Sequence, residues 1–117
     1  MEVLSLPARE SGFLMPRYEF TDQAEIDLDG ITDYTLSRWG KNQALIYIKG
    51  LEDLAQILAD SPDLGVNRPE LFEELISFPY AKHILYYVEQ SHGITIIRIL
   101  HKKMDVKKHI TSTYEVQ

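Results

Sequence analysis

Residues 94–101, Ile-Thr-Ile-Ile-Arg-Ile-Leu-His, constrain the fold more than any other stretch of the chain. Five of these eight residues are Ile or Leu, and Thr95 adds another β-branched side chain. That length and composition predict a strand buried on both faces. Arg98 stands in the middle of the run, and Lys102-Lys103-Met104-Asp105 follows at once. A guanidinium is seldom buried without a partner. Arg98 therefore either pairs with a carboxylate that shapes the fold or carries a specific job.

The rest of the composition narrows the class. A chain of 117 residues predicts one domain, with enough apolar surface for a single core but not for two. The absence of cysteine excludes disulfides and thiolate metal sites and suits a reducing cytoplasm, where the chain is expected to work. No run approaches the roughly 18 apolar residues of a membrane span. The first segment lacks the basic start of a secretory signal, and Pro7 interrupts its short apolar patch. The net charge of −6 is unevenly spread. Residues 1–70 carry six basic against thirteen acidic side chains, whereas residues 71–117 carry six against five. Between Arg98 and Lys108 five cations (Arg98, Lys102, Lys103, Lys107, Lys108) face only Asp105. An acidic chain is a poor general binder of nucleic acid. A confined basic patch suits an acidic protein surface or one short segment of RNA.

Taken in order, residues 1–14 show no periodicity and predict a poorly ordered leader or an extension from an upstream start. Folded sequence is expected over 15–110, with a frayed tail over 111–117. Arg17-Tyr18-Glu19-Phe20 alternates and predicts a first strand. Thr21 or Asp22 can cap a helix in which Ala24, Leu28, Ile31 and Tyr34 or Thr35 recur at helical spacing. Its opposite face holds Glu25, Asp29 and Asp33, either a solvated face or a docking face for a basic partner segment. Gly30 weakens such a helix by about 1 kcal/mol relative to Ala, so close approach by another backbone is expected there. Gly40 ends the helix, and after a short link Ala44, Tyr47, Ile48, Leu51, Leu54, Ala55 and Leu58 define a second. Two helices joined this tightly must lie antiparallel. Pro62 and Gly65 stop the hairpin. Leu75–Phe78 favours a strand, Pro79–Lys82 a turn, and His83–Glu89 a strand. Gln90–Gly93 then predicts a hairpin loop into the 94–101 strand. Asp105 can cap a final helical turn over Val106–Ile110. The fold class is α+β: an N-terminal strand, a helical hairpin packed on one face of a small antiparallel sheet, and a short C-terminal helix.

Common catalytic signatures are missing. There is no phosphate-binding glycine loop, no His-Glu-x-x-His helix and no Gly-x-Ser-x-Gly turn. His83, His92, His101 and His109 lack metal-ligand spacing, so no metal or other cofactor is expected. Arg98 and His101 remain, since Arg can stabilise a developing phosphate charge and His can transfer a proton near neutral pH. Three positions apart in a strand, they point to opposite faces. Pairing of Arg98 with a carboxylate from the acidic helices is the competing reading.

In order and spacing, several of these residues resemble the ParE toxins of the ParE/RelE superfamily. They are Trp39-Gly40, Ala44, Tyr47, Leu54-Ala55, Pro62-Asp63-Leu64-Gly65, Arg68, Phe78-Pro79, His83 with Tyr87, and Arg98-Ile99-Leu100-His101 before Met104-Asp105. The resemblance runs from about Arg17 to Ile110. It implies the toxin of a type II toxin–antitoxin pair, held inactive by a cognate antitoxin whose disordered tail folds on the toxin. Glu25, Asp29, Asp33, Trp39, Tyr47 and Ile48 are the candidate antitoxin contacts. ParE relatives poison DNA gyrase without chemistry of their own, which makes Arg98, His101, Lys102, Lys103, Lys107 and Lys108 candidate target contacts. RelE relatives cut messenger RNA on the ribosome, and that alternative gives catalytic roles to Arg98 and His101. The acidic total and the lack of a tyrosine directly after the last strand favour the ParE side; Tyr114 lies too far along. A non-toxic module that only binds antitoxin is the third reading.

Overall fold

The computed structural model describes residues 15–114, with side chains described as far as Ile110. The expectations for the leader 1–14 and for the last residues of the tail, 115–117, lie outside the described residues. The elements are β1 (Arg17–Phe20), α1 (Asp22–Trp39), α2 (Lys41–Asp60), a 3-10 turn (Pro62–Leu64), β2 (Val66–Asn67), β3 (Ile76–Tyr80), β4 (His83–Gln90), β5 (Gly93–His101) and α3 (Val106–Tyr114). The five strands lie in the order β1-β5-β4-β3-β2. Neighbours β2 to β5 pair antiparallel, and β1 runs parallel to β5, so the sheet is mixed. Among the described residues, no helix is long and apolar enough to cross a membrane.

Local chemistry accounts for the helical hairpin. Thr21 is the N-cap of α1, and its Oγ1 accepts from the Ala24 N–H at 3.1 Å. The same hydroxyl donates to the Ile97 carbonyl at 2.8 Å, tying the helix start to β5. Gly40 alone separates α1 from α2, with φ +93°, a conformation that disfavours a side chain. The helices are therefore antiparallel neighbours, as the short link required. Gly30 does not fulfil its expected role: nothing lies within 4 Å of a Cβ built there. The close approach falls instead at Gly50, where the Tyr80 ring crosses α2 and its hydroxyl donates to the Tyr47 carbonyl at 2.7 Å.

The sheet is covered on both faces, where the sequence led us to expect one core under one helical layer. Leu85, Tyr87, Ile94, Ile96 and Ile99 pack with Leu51, Ala55 and Leu58 of the hairpin. Tyr86, Val88, Ile97 and Leu100 form a smaller second cluster with Leu75 and with Ile110 of α3. The expected final turn is thus a longer helix that buries Ile110 completely. β5 contributes buried residues to both clusters, which explains why its apolar residues do not simply alternate. In α1, Thr35 is buried while Tyr34 is 62% exposed, which resolves that pair of alternatives.

One irregularity decides where β5 aims its side chains. From Gln90↔Gly93 to Tyr87↔Ile96 the β4–β5 register is regular; then Tyr86 pairs with Arg98, leaving Ile97 as an extra residue. This bulge moves Arg98 to the Tyr86 face and sets His101 opposite His83. Without it, Arg98 would stand opposite Leu85, among the side chains under the hairpin.

Thr21→Val removes both the helix cap and the bond to Ile97. The expected loss is about 1–2 kcal/mol in unfolding free energy, measured by urea denaturation with the slope unchanged.

Candidate functional site

Arg98 is only 8% exposed. Its Nε donates to Asp27 Oδ2 at 2.8 Å and its second terminal nitrogen donates to Asp27 Oδ1 at 2.9 Å, a two-pronged ion pair. The first terminal nitrogen donates to the His109 carbonyl at 3.2 Å, so one guanidinium links α1 to α3. Asp27 does a second thing: Oδ2 accepts the Ile99 N–H at 2.9 Å. β1 pairs with β5 only from Gly93 to Ile96, and beyond that no strand among the described residues lies beside the β5 edge. Thr21 and Asp27 satisfy that edge from α1, the first at the Ile97 carbonyl and the second at the Ile99 amide. Arg98 is thus held by a carboxylate of an acidic helix.

The carboxylate is not one that the charge pattern singled out. Glu25, Asp29 and Asp33 are exposed on α1. Asp27 belongs to the series Ala24, Asp27, Leu28, Ile31, whose spacing follows the buried side of the helix. A charge on that stripe is the same anomaly as Arg98 in its strand, with the opposite sign. That signal was available in the sequence.

His101 lies across the sheet from Arg98's surroundings, opposite His83, with ring centroids 5.4 Å apart and nearly perpendicular. His101 Nδ1 accepts the Lys103 N–H at 3.1 Å, and His83 Nδ1 lies 2.7 Å from the Tyr47 hydroxyl. Tyr47 also packs edge-on against Tyr80 at 4.9 Å. Burial, and then the neighbouring His101, push the His83 pKa below the ordinary histidine value, with Asp27 opposing. Lys102 and Lys103 are exposed in the turn after β5, and the Lys102 N–H donates to the Lys82 carbonyl at 2.9 Å. Lys107 and Lys108 are exposed on the first turns of α3. The fold therefore brings His101, Lys102 and Lys103 together and adds Lys82 and His83, which the sequence reading left out of the cluster. Arg98 lies apart, on the opposite face.

On the hairpin, Glu25, Asp29, Asp33 and Trp39 are exposed, Trp39 by 63%. Tyr47 and Ile48 are half-buried, and Tyr47 is engaged by His83. Leu36, Leu45 and Ile46 are also exposed at the Gly40 end of the hairpin. A groove of about 510 Å³ at the other end of the sheet, bordered by Arg17, Asp60, Glu89 and His92, holds none of the expected site residues.

Two outcomes follow from this geometry. Asp27→Ala leaves the Arg98 charge and the Ile99 amide without that partner, for an expected loss of about 3–5 kcal/mol in denaturant unfolding. The second concerns His83. Its folded pKa lies below the unfolded value, so the unfolded chain binds more protons and stability falls as pH drops below about 6.5. The melting temperature of the wild type should therefore decline from neutral to mildly acidic pH, and His83→Gln should flatten that decline.

The comparisons with known proteins agree with this architecture. The family model described as "ParE toxin of type II toxin-antitoxin system, parDE" matches residues 18–106. Toxin ParE1 of Caulobacter vibrioides is 29% identical over 96 residues, covering 82% of this chain and 99% of that protein. Toxin ParE of Escherichia coli is 32% identical over 93 residues, covering 79% and 90%. Among solved structures, a chain of the chromosomal ParDE TA system from P. aeruginosa superposes with TM-score 0.63 at 21% identity, covering 74% of this chain and 96% of that one. That likeness concerns the fold. The family match, which spans both the helical hairpin and the whole of β5, places the chain in the ParE toxin family of type II toxin–antitoxin systems.

Proposed function

We propose that this toxin acts by binding DNA gyrase, without catalytic chemistry of its own, and that a cognate antitoxin neutralises it. The observation that carries the reading is the engagement of Arg98. A ribonuclease of the related RelE type needs a cationic side chain free to meet a developing phosphate charge. Here Arg98 is buried, gripped by both oxygens of Asp27, and separated by the sheet from His101. That arrangement favours a binding role, and it moves the proposed target contact away from Arg98 to half-buried His101 and the exposed Lys102, Lys103, Lys107 and Lys108.

The antitoxin contact is proposed on the outer face of the hairpin. Exposed Glu25, Asp29 and Asp33 suit a partner segment with basic residues, and Trp39 with Leu36, Leu45 and Ile46 offers apolar anchors. A disordered tail that folds on this face would bury those anchors together. The ParDE neighbour, named as a toxin–antitoxin system, supports an antitoxin partner for this fold.

The test is a supercoiling assay with purified gyrase. The wild-type chain is expected to block supercoiling, and Lys102→Ala with Lys103→Ala to weaken the block about ten-fold while melting normally. Trp39→Ala should leave inhibition intact but reduce rescue by the antitoxin. Codon-positioned cleavage of messenger RNA with unaffected gyrase would contradict the reading.

A further inference from the structure

The cationic cluster is larger and more structured than the sequence shows. At one end of the sheet the β3–β4 turn meets the turn after β5: the Lys102 amide bonds the Lys82 carbonyl, and His83 faces His101. Lys82, Lys102 and Lys103 are exposed, and none of them is ion-paired among the described residues. Asp105 is the nearby carboxylate in sequence, and its Oδ1 is used by the Lys108 amide at 3.4 Å. On a chain of net charge −6, this corner is where a negatively charged partner meets attraction.

We propose that this corner docks an acidic polypeptide segment, and that docking is coupled to uptake of a proton by the His83–His101 pair. The proposal rests on the reading of the cationic turn as the target contact. In the free protein, His101 Nδ1 already accepts the Lys103 amide and His83 Nδ1 is bonded with the Tyr47 hydroxyl. A proton added to the pair meets the second imidazole and the charges of Lys82, Lys102 and Lys103. From the other packed elements it meets the uncharged rings of Tyr47 on α2 and Tyr80 on β3. Asp27 on α1 favours the proton, but its oxygens already serve Arg98 and Ile99. The missing counter-charge is a carboxylate from outside. A Glu- or Asp-rich segment supplies it, and by reciprocity its affinity rises when the pair is protonated. Nucleic acid fits less well, because a strand long enough to bind strongly would also run over the acidic remainder of the surface.

The experiment titrates the full chain with a fluorescently labelled Glu-rich peptide, which stays ionised down to about pH 5.5. A single-stranded oligonucleotide of matched charge is titrated in parallel. At low salt the peptide should bind about five- to ten-fold more tightly at about pH 5.5 than at about pH 7.5. Near pH 6 its binding heat should vary with buffer ionisation enthalpy, which reports proton uptake. The Lys82→Ala, Lys102→Ala, Lys103→Ala variant should lose the binding. His83→Gln with His101→Gln should bind the peptide with the same affinity at both pH values, with circular dichroism confirming its fold. Equal affinity at both pH values, unchanged binding by the lysine variant, or tighter binding of the oligonucleotide would overturn the proposal. Gyrase inhibition that survives the lysine triple substitution would also overturn this corner as the contact, without touching the toxin reading. Intact peptide binding with no effect on gyrase would count against the gyrase target alone.

Discussion

The Asp27 carboxylate carries more of this architecture than its single charge suggests. It closes the β5 edge at Ile99, neutralises the buried Arg98, and through Arg98 reaches the backbone of α3 at His109. Three elements, α1, β5 and α3, are joined at one point. The interaction is efficient because it is fully used: a buried charge pair offsets its desolvation only when the remaining hydrogen-bonding capacity is also satisfied. Here the edge amide and the helix carbonyl provide that satisfaction.

The bulge at Ile97 makes the pair possible. A regular β5 would send Arg98 under the hairpin, among Leu51, Leu58 and Leu85, where a charge would find only hydrocarbon. By adding one residue to one strand, the fold sends the guanidinium to the open edge and brings His101 opposite His83 in the same step. The same local irregularity therefore separates Arg98 from the exposed cations and assembles the corner where they gather.

Much of this was legible in the chain. The 94–101 run, the cap at Thr21, the single-glycine link at Gly40 and the α2 stripe all follow from local rules, because each depends on neighbours in sequence. The strand β2 did not, since two residues such as Val66-Asn67 carry no periodicity. Nor did the parallel pairing of β1, or α3 as the cover of a second core, because both depend on where distant segments pack. For the site, the misfit of Arg98 was visible and its partner was not, although the position of Asp27 on the buried stripe of α1 held the clue. The His83–His101 pairing was hidden because register beyond a bulge cannot be counted from the hairpin turn. Gly30 misled for the opposite reason: a local cost in a helix need not have a tertiary cause.

On the proposed function, Arg98 holds the toxin's fold together and does not touch the target. This is tested most directly by replacing both charges together, Asp27→Leu with Arg98→Met, and measuring gyrase inhibition on protein shown to be folded. Removing a buried pair as a unit is far milder than removing one partner. The double variant should fold and inhibit gyrase within about two-fold of the wild type. A folded variant that has lost inhibition would show that Arg98 belongs to the target-binding surface after all.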